Sequence, residues 1–280
     1  MTEKGRIKLI AIDLDNTLLA SDSKLSETNK SALEKANEHG VEIVINTGRG
    51  LNGIYDDVRS VKGLRYGITS NGACVYDVLT EELLLKYCLS SQSAEKLRKL
   101  GHEFNITYEI FVGGRGYVSR DYYENPVSFG QPQRLEEYIK KTRIPVDDID
   151  TFMNGHIDEI ENFALVAPNK EVHDELVRKV TEICDDIFVT APERQWVEVM
   201  DRQCGKGKGM LHLCEYLNIS LEETVAIGDS DNDMEMFEYA GISVCMENGS
   251  PNCKEAADII TKTNLEDGVA YAILNLLGLS

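Results

Sequence analysis

The feature that most constrains this chain is the stretch from Lys8 to Leu19, where Leu9, Ile10, Ala11 and Ile12 run directly into Asp13-Leu14-Asp15-Asn16-Thr17-Leu18-Leu19. Four consecutive apolar residues read as a strand buried on both faces, the mark of a parallel sheet covered by helices. In an open α/β sheet ligands bind beyond the carboxyl ends of the strands, so the two carboxylates stand where reactive groups are placed. Carboxylates two residues apart repel each other unless a cation or a shared proton compensates. The pair therefore suggests a metal, an acid/base couple, or both, and a hard cation such as Mg2+ suits this density of oxygen ligands. A solvated acidic turn, or an Asp-x-Asp that holds a metal-bound nucleotide sugar, are the other readings open at this point.

With 280 residues and 42% hydrophobic content, the chain can bury a sizeable core in one large domain or two smaller ones. No window approaches the ~18 apolar residues of a membrane span, and Met-Thr-Glu-Lys-Gly-Arg at the start lacks the apolar stretch of a signal peptide, which points to the cytoplasm. The seven cysteines form an odd set with no Cys-x-x-Cys pair, which argues for reduced thiols over a disulfide framework or a zinc knuckle. A formal charge of −19 disfavours nucleic acid or an anionic membrane as a partner. An anionic substrate would then need a locally positive site.

Ser26 is a plausible N-cap for a helix through His39, and Gly40 suits the left-handed residue past its end. Val41 to Asn46 follows as a second strand, ending in Thr47-Gly48-Arg49-Gly50, and this strand–helix–strand unit is the building block of a parallel sheet. After Asn71-Gly72 the pattern changes to hairpins mixed with helices, which predicts an inserted α+β domain over 90–189. Alternation resumes from Trp196 to Met200, with buried runs at Thr224 to Gly228 and Ile242 to Cys245. Residues 1–89 and 190–280 should therefore build one Rossmann-like parallel-sheet core around the insertion. The chain should cross between the domains near Leu89 to Ser91 and near Ala191 to Glu193.

Gly228-Asp229-Ser230-Asp231-Asn232-Asp233 repeats the first geometry, with carboxylates just past a strand end. A calcium-binding EF-hand loop fails here, because its sixth position is Met234 rather than Gly and its twelfth is Ala240 rather than Glu. Thr47-Gly48 offers a hydroxyl and an open backbone amide where a helix dipole favours an anion. Gly205-Lys206-Gly207-Lys208 lacks the Ser or Thr and the leading Gly of a phosphate loop, although one lysine there could still reach a phosphate as a point charge.

Taken in order, Asp13-Leu14-Asp15-Asn16-Thr17, Thr47-Gly48-Arg49, Lys206-Gly207 and Gly228 to Asp233 resemble the four motifs of the haloacid dehalogenase superfamily. Within it the chain resembles the Cof-like phosphatases, whose larger cap is inserted between the second and third motifs. Asn71-Gly72-Ala73 and Asn264 to Ala270 resemble that branch as well. The lysine segment departs from it, reading Gln203-Cys204-Gly205-Lys206 where the branch has Gly-Val-Ser-Lys or Gly-Val-Asp-Lys. The apolar face Met210, Leu213 and Leu217 sets Lys206, rather than Lys208, in register.

The resemblance implies an Mg2+-dependent phosphatase of small phosphorylated metabolites, sugar phosphates first, working through an aspartyl-phosphate. It makes Asp13 the nucleophile and Asp15 the acid and base. It surrounds the phosphate with the Leu14 and Gly48 amides, the Thr47 hydroxyl, Lys206 and Asn232. Mg2+ would be held by Asp13, the Asp15 carbonyl and Asp229, with Asp233 helping through water or Lys206. A phosphosugar phosphotransferase, or a phosphate-binding regulator without turnover, are the alternatives. The inserted domain would choose the substrate, with Arg115, Tyr117 and Arg120 as its polar candidates.

Overall fold

The computed structural model describes residues 7–20, 24–191 and 195–279. The chain divides into two compact units, one of Met1–Arg49, Ile54–Leu85 and Gly205–Ser280, the other of Gly50–Gly53 and Lys86–Cys204. In chain order the first sheet begins with β1 (Leu9–Ile12), β2 (Glu42–Asn46), β3 (Leu64–Thr69), β4 (Cys74–Asp77) and β5 (Glu82–Lys86). The second unit carries β6 (Tyr108–Val112), β7 (Arg115–Ser119), β8 (Arg143–Val146), β9 (Asn162–Val166), β10 (Ile187–Thr190) and β11 (Trp196–Asp201). The first sheet is completed by β12 (Thr224–Gly228), β13 (Ile242–Cys245) and β14 (Ile259–Ile260).

The first sheet has the order β14-β13-β12-β1-β2-β3-β4-β5, with β4 antiparallel to β3 and parallel pairing from β14 through β3. Register is what matters for chemistry here. Ile12 lies opposite both Ile45 and Ile227, so Asp13, Asn46 and Gly228 leave the sheet side by side at one carboxyl edge. All four β1 residues are fully buried, which is why the strand is uniformly apolar and stops at the first charge. The sheet is covered in part by the helix Lys206–Leu217, whose Met210 and Leu213 pack with Leu9, Ala11, Val44 and Ala226. The helix Glu27–Glu38 starts where the Ser26 hydroxyl accepts the Asn29 N–H at 3.0 Å, and Gly40 beyond its end has φ 80°, as the cap residues require.

The second unit is a six-stranded sheet of order β10-β11-β9-β6-β7-β8, antiparallel except for β7 and β8. Tyr108, Ile110, Phe163, Leu165, Val197 and Val199 share one core with Leu97 and Leu176 of the helices Ser91–Glu103 and Lys170–Ile183. The alternate residue Glu109 is fully buried and accepts from Arg143 Nε at 2.6 Å, Trp196 Nε1 at 2.9 Å and Tyr122 Oη at 3.0 Å.

The expected boundary at 189/190 moves to Cys204/Gly205, and the one at 89/90 to Leu85/Lys86. Trp196 to Met200 does not resume the first sheet. It pairs antiparallel with β9, Val197 opposite Leu165, and with β10. The reason is visible in the residues: Trp196-Val197-Glu198-Val199 alternates polar or half-buried side chains with buried Val, the period of an antiparallel strand, whereas a parallel core strand is apolar throughout. Of the second expected crossing, residues 192–193 lie outside the described residues. Among the described residues no helix is long and apolar enough to cross a membrane.

Because Glu109 is the buried counter-charge of Arg143, Glu109→Ala leaves a guanidinium without its ion pair in the interior. The expected cost is about 3–5 kcal/mol, read as an earlier urea midpoint. Trp196, the one tryptophan, loses its indole acceptor in the same variant, so its emission should change in the folded baseline.

Candidate active site

The acidic clusters start where strands of the first sheet end. After β1 the chain places Asp13, 5% exposed, then turns through Asp15 and Asn16, the latter at φ 59°. After β12 it places Asp229 and, in the turn that opens the helix Met234–Tyr239, Asp233. The Asp233 Oδ2 accepts the backbone N–H groups of Asp229 at 2.9 Å and Ser230 at 3.0 Å, which locks that carboxylate across the turn. Gly228 lets it approach, since a Cβ there would lie 2.5 Å from the Asp233 carboxyl carbon.

Lys206 is 1% exposed at the start of its helix, and its Nζ donates to Asp13 Oδ1 at 2.6 Å and to Asp233 Oδ1 at 2.5 Å. Lys208 instead lies 3.9 Å from Glu235, a third exposed. The lysine loop is pinned from the Asn71 turn: the Gly205 N–H donates to the Asn71 carbonyl at 2.8 Å, and a Cβ on Gly72, at φ +88°, would sit 2.1 Å from the Gly205 oxygen. Asn46 adds a second tether, its Nδ2 donating to the Lys206 carbonyl at 2.9 Å.

The electrostatics follow from this enclosure. Burial pushes the Asp13 carboxyl well above the usual carboxylate range; the Lys206 ammonium opposes the rise, and Asp233 and Asp229 add to it. Asp229 is pushed up to about 7, by burial first and then by Asp233, although it accepts the Thr17 hydroxyl at 3.0 Å. Burial works against the Lys206 ammonium, but Asp13 and Asp233 outweigh it and hold its pKa above the ordinary lysine value.

Asp13, Asp229 and Asp233 each bring a carboxylate oxygen within 4.8 Å of the others, and all three are buried. Three carboxylates with one ammonium leave an excess of buried negative charge, and the donors are all oxygen. That is the environment a hard divalent cation such as Mg2+ relieves, so the residues present fit the ion.

Of the phosphate-side candidates, Thr47 is buried, its hydroxyl accepting the Arg49 N–H at 3.2 Å. A Cβ on Gly48 would lie 3.0 Å from Asn71 Oδ1. Asn232 donates to that same Oδ1 at 3.4 Å. Leu14 is buried directly after Asp13, its carbonyl accepting the Leu19 N–H at 2.9 Å. Asp15 is set apart: its side chain is 53% exposed and bound at both oxygens by Arg49. Arg115 is exposed on β7, Tyr117 stacks on Phe152 at 4.2 Å between ring centroids, and Arg120 donates to Asp147 at 2.8 Å.

Sequence reasoning assigned no role to Thr17, Asn46, Arg49 or Asn71. Thr17, Arg49 and Asn71 stand inside quoted motifs, and for Thr17 a hydroxyl beside the Asp13 and Asp15 pair was the available signal. Asn46 directs its amide at the Lys206 carbonyl and Asn71 Oδ1 accepts the Asn232 amide, pairings that no spacing reveals.

A family model described as haloacid dehalogenase-like hydrolase matches residues 10–273. Phosphatase YwpJ of Bacillus subtilis is 31% identical over 290 residues, covering 97% of this chain and 100% of that protein. The 5-amino-6-(5-phospho-D-ribitylamino)uracil phosphatase YcsE of the same organism is 32% identical over 269 residues, covering 95% and 94%. A solved haloacid dehalogenase-like hydrolase from B. subtilis superimposes with TM-score 0.83 at 28% identity, covering 96% of this chain and 100% of that one.

The raised carboxyl groups set a pH dependence for the metal-free protein. Asp229 has a folded pKa of about 7, above its unfolded value of roughly 3.9. Its contribution to stability is therefore full below pH ~4 and is lost as pH rises through 7. In chelator the melting temperature should fall from pH 5 to pH 8, and added Mg2+ should raise it more at pH 8 than at pH 5.

Proposed function

The chain belongs to the haloacid dehalogenase-like hydrolases and is a phosphatase of that family, and we propose that it hydrolyses small phosphorylated metabolites, sugar phosphates first, with Mg2+ and through a phosphoryl group carried on Asp13. The observation that carries this reading is the buried Lys206 ammonium held between Asp13 and Asp233 beside Asp229. It joins a nucleophile, a cation and an oxygen-ligand cluster at one sheet edge. The relative whose name specifies a substrate acts on the phosphate ester of a ribityl chain, which supports a polyhydroxylated substrate class.

In this proposal the Asp13 carboxylate attacks phosphorus while the ester P–O bond breaks, and Asp15 gives its proton to the leaving alkoxide. Asp15 then takes a proton from water, whose oxygen attacks the same phosphorus, releasing inorganic phosphate and restoring Asp13. Lys206, Thr47, Asn232 and the Leu14 and Gly48 amides hold the phosphoryl oxygens, and positioning with charge stabilisation supplies most of the acceleration. A divalent cation bound by Asp13, Asp229 and Asp233, with the Asp15 carbonyl, would offset the charge of the carboxylates and of the phosphate.

The second unit is proposed to select the substrate. Tyr117 and Arg120 are engaged by Phe152 and Asp147, so Arg115 is the first side chain to test.

Asp13→Asn keeps the shape and removes the attacking charge, so turnover should fall at least ~1000-fold, on the order of 4 kcal/mol of barrier. More than a tenth of the activity retained in a clean preparation would overturn the assignment. Exhaustive chelation should abolish turnover, and Mg2+ should restore it where Ca2+ restores it poorly. Across a panel of sugar, nucleotide and cofactor phosphates, Arg115→Ala should reorder the preferred substrates while changing aryl phosphate hydrolysis little. A uniform loss with the ranking intact would remove Arg115 from substrate selection.

A further inference from the structure

Asp15 presents a geometric problem for the role given to it. It lies on a turn between Asp13 and the left-handed Asn16, its side chain 53% exposed. An exposed carboxylate of this kind samples several rotamers, while proton transfer needs it within hydrogen-bond reach of one oxygen. Its partner is built differently. The Arg49 side chain is only 5% exposed, its Nε donates to Asp15 Oδ2 at 2.8 Å, and its Nη2 donates to Oδ1 at 2.6 Å. The guanidinium lies over the Tyr55 ring, 4.5 Å from its centroid. The Arg49 backbone is anchored on both sides: its N–H donates to the Thr47 hydroxyl, and its carbonyl accepts the Ser70 N–H at 2.8 Å. The arginine is thus a fixed fork, and the aspartate is the member it orients.

We infer that Arg49 is the positioning residue of the acid/base step, a rigid two-pronged donor that sets where the Asp15 carboxyl stands when a proton passes to the leaving group and from water. This rests on the reading of Asp15 as the proton donor. The chemistry of the fork fits both half-reactions. With both oxygens held, the carboxylate is in the form that accepts the proton of the attacking water. When one oxygen carries the proton for the leaving alkoxide, the other still accepts one guanidinium N–H, so orientation survives the change of state. An ion pair with one exposed partner contributes little to stability, and a planar fork contributes geometry that a single ammonium cannot.

The leaving group separates this role from a structural one. An alkyl phosphate such as ribose 5-phosphate expels an alkoxide that must be protonated, whereas p-nitrophenyl phosphate expels a phenolate that is stable without a proton. Asp15→Asn slows hydrolysis of the phosphorylated Asp13 for both esters, so the comparison is made in kcat/KM, which reports only the steps through leaving-group departure. It should fall on the order of a hundredfold for the alkyl ester and far less for the aryl ester. Arg49→Met, which keeps an unbranched apolar stem and removes the fork, should show the same selectivity in kcat/KM, with the melting temperature retained. Arg49→Lys should recover part of the alkyl activity. In the Asp15→Asn background, Arg49→Met should add almost nothing. If Asp15→Asn discriminates between leaving groups and Arg49→Met lowers both esters equally, Arg49 is not the positioning residue and this inference falls alone. If Asp15→Asn itself fails to discriminate, the acid/base reading falls and takes the inference with it.

Discussion

The ammonium of Lys206 between Asp13 and Asp233 is the interaction on which the rest of the site depends. Its partners are 193 and 27 residues away in sequence, so the contact exists only when three separate segments have reached the same sheet edge. Buried charges are costly, and each of these is tolerated because the others, and the backbone N–H groups on Asp233, compensate it. Removing Lys206 leaves both carboxylates without their counter-charge. The supporting tethers, from Asn46 and the Asn71 turn to the lysine loop, hold a long flexible side chain at one address.

The parallel sheet makes that convergence geometrically inexpensive. Because Ile12 is in register with Ile45 and Ile227, the residues that follow each strand arrive together without distortion of the strands themselves. The second unit can then occupy the interval between β5 and β12 with its own sheet and its own core, because nothing in the register of β1, β2 and β12 passes through it. Fold and chemistry are separable in this respect. One sheet edge holds the Asp13, Lys206, Asp229 and Asp233 cluster, and the inserted unit has a core of its own.

The core was legible because its signals are local. β1 and β12 are short apolar runs ending in acids, Ser26 and Gly40 have the residue types their caps demand, and each acidic motif directly follows its strand. The boundary of the insertion was not, because Trp196 to Met200 was read by its position after a helix-rich stretch, while its alternating burial belongs to an antiparallel sheet. The strand β8 and the helix Ile149–Gly155 were missed for a related reason. They are short, and Arg143-Ile144-Pro145-Val146 carries a proline that reads as a break rather than as a strand at the sheet edge. In the site, the acids and the lysine could be read from motif order, whereas the pairing of Arg49 with Asp15 needs the positions of two strand ends.

The local charge arrangement also constrains the proposed reaction. The whole chain carries −19, and within the site Arg49 neutralises Asp15 while Lys206 offsets only one of the three carboxylates at Asp13, Asp229 and Asp233. Unit charges ~4 Å apart interact by about 4 kcal/mol at the effective dielectric near a protein surface, so a phosphate dianion meeting two uncompensated carboxylates faces repulsion of several kcal/mol. The lysine alone cannot reverse that sign. A divalent cation held by those carboxylates would, and it would also favour the ionised form of Asp13 that the proposed attack needs. On this electrostatic argument the affinity of the site for a phosphate ester would depend on the positive charge that Asp13, Asp229 and Asp233 hold.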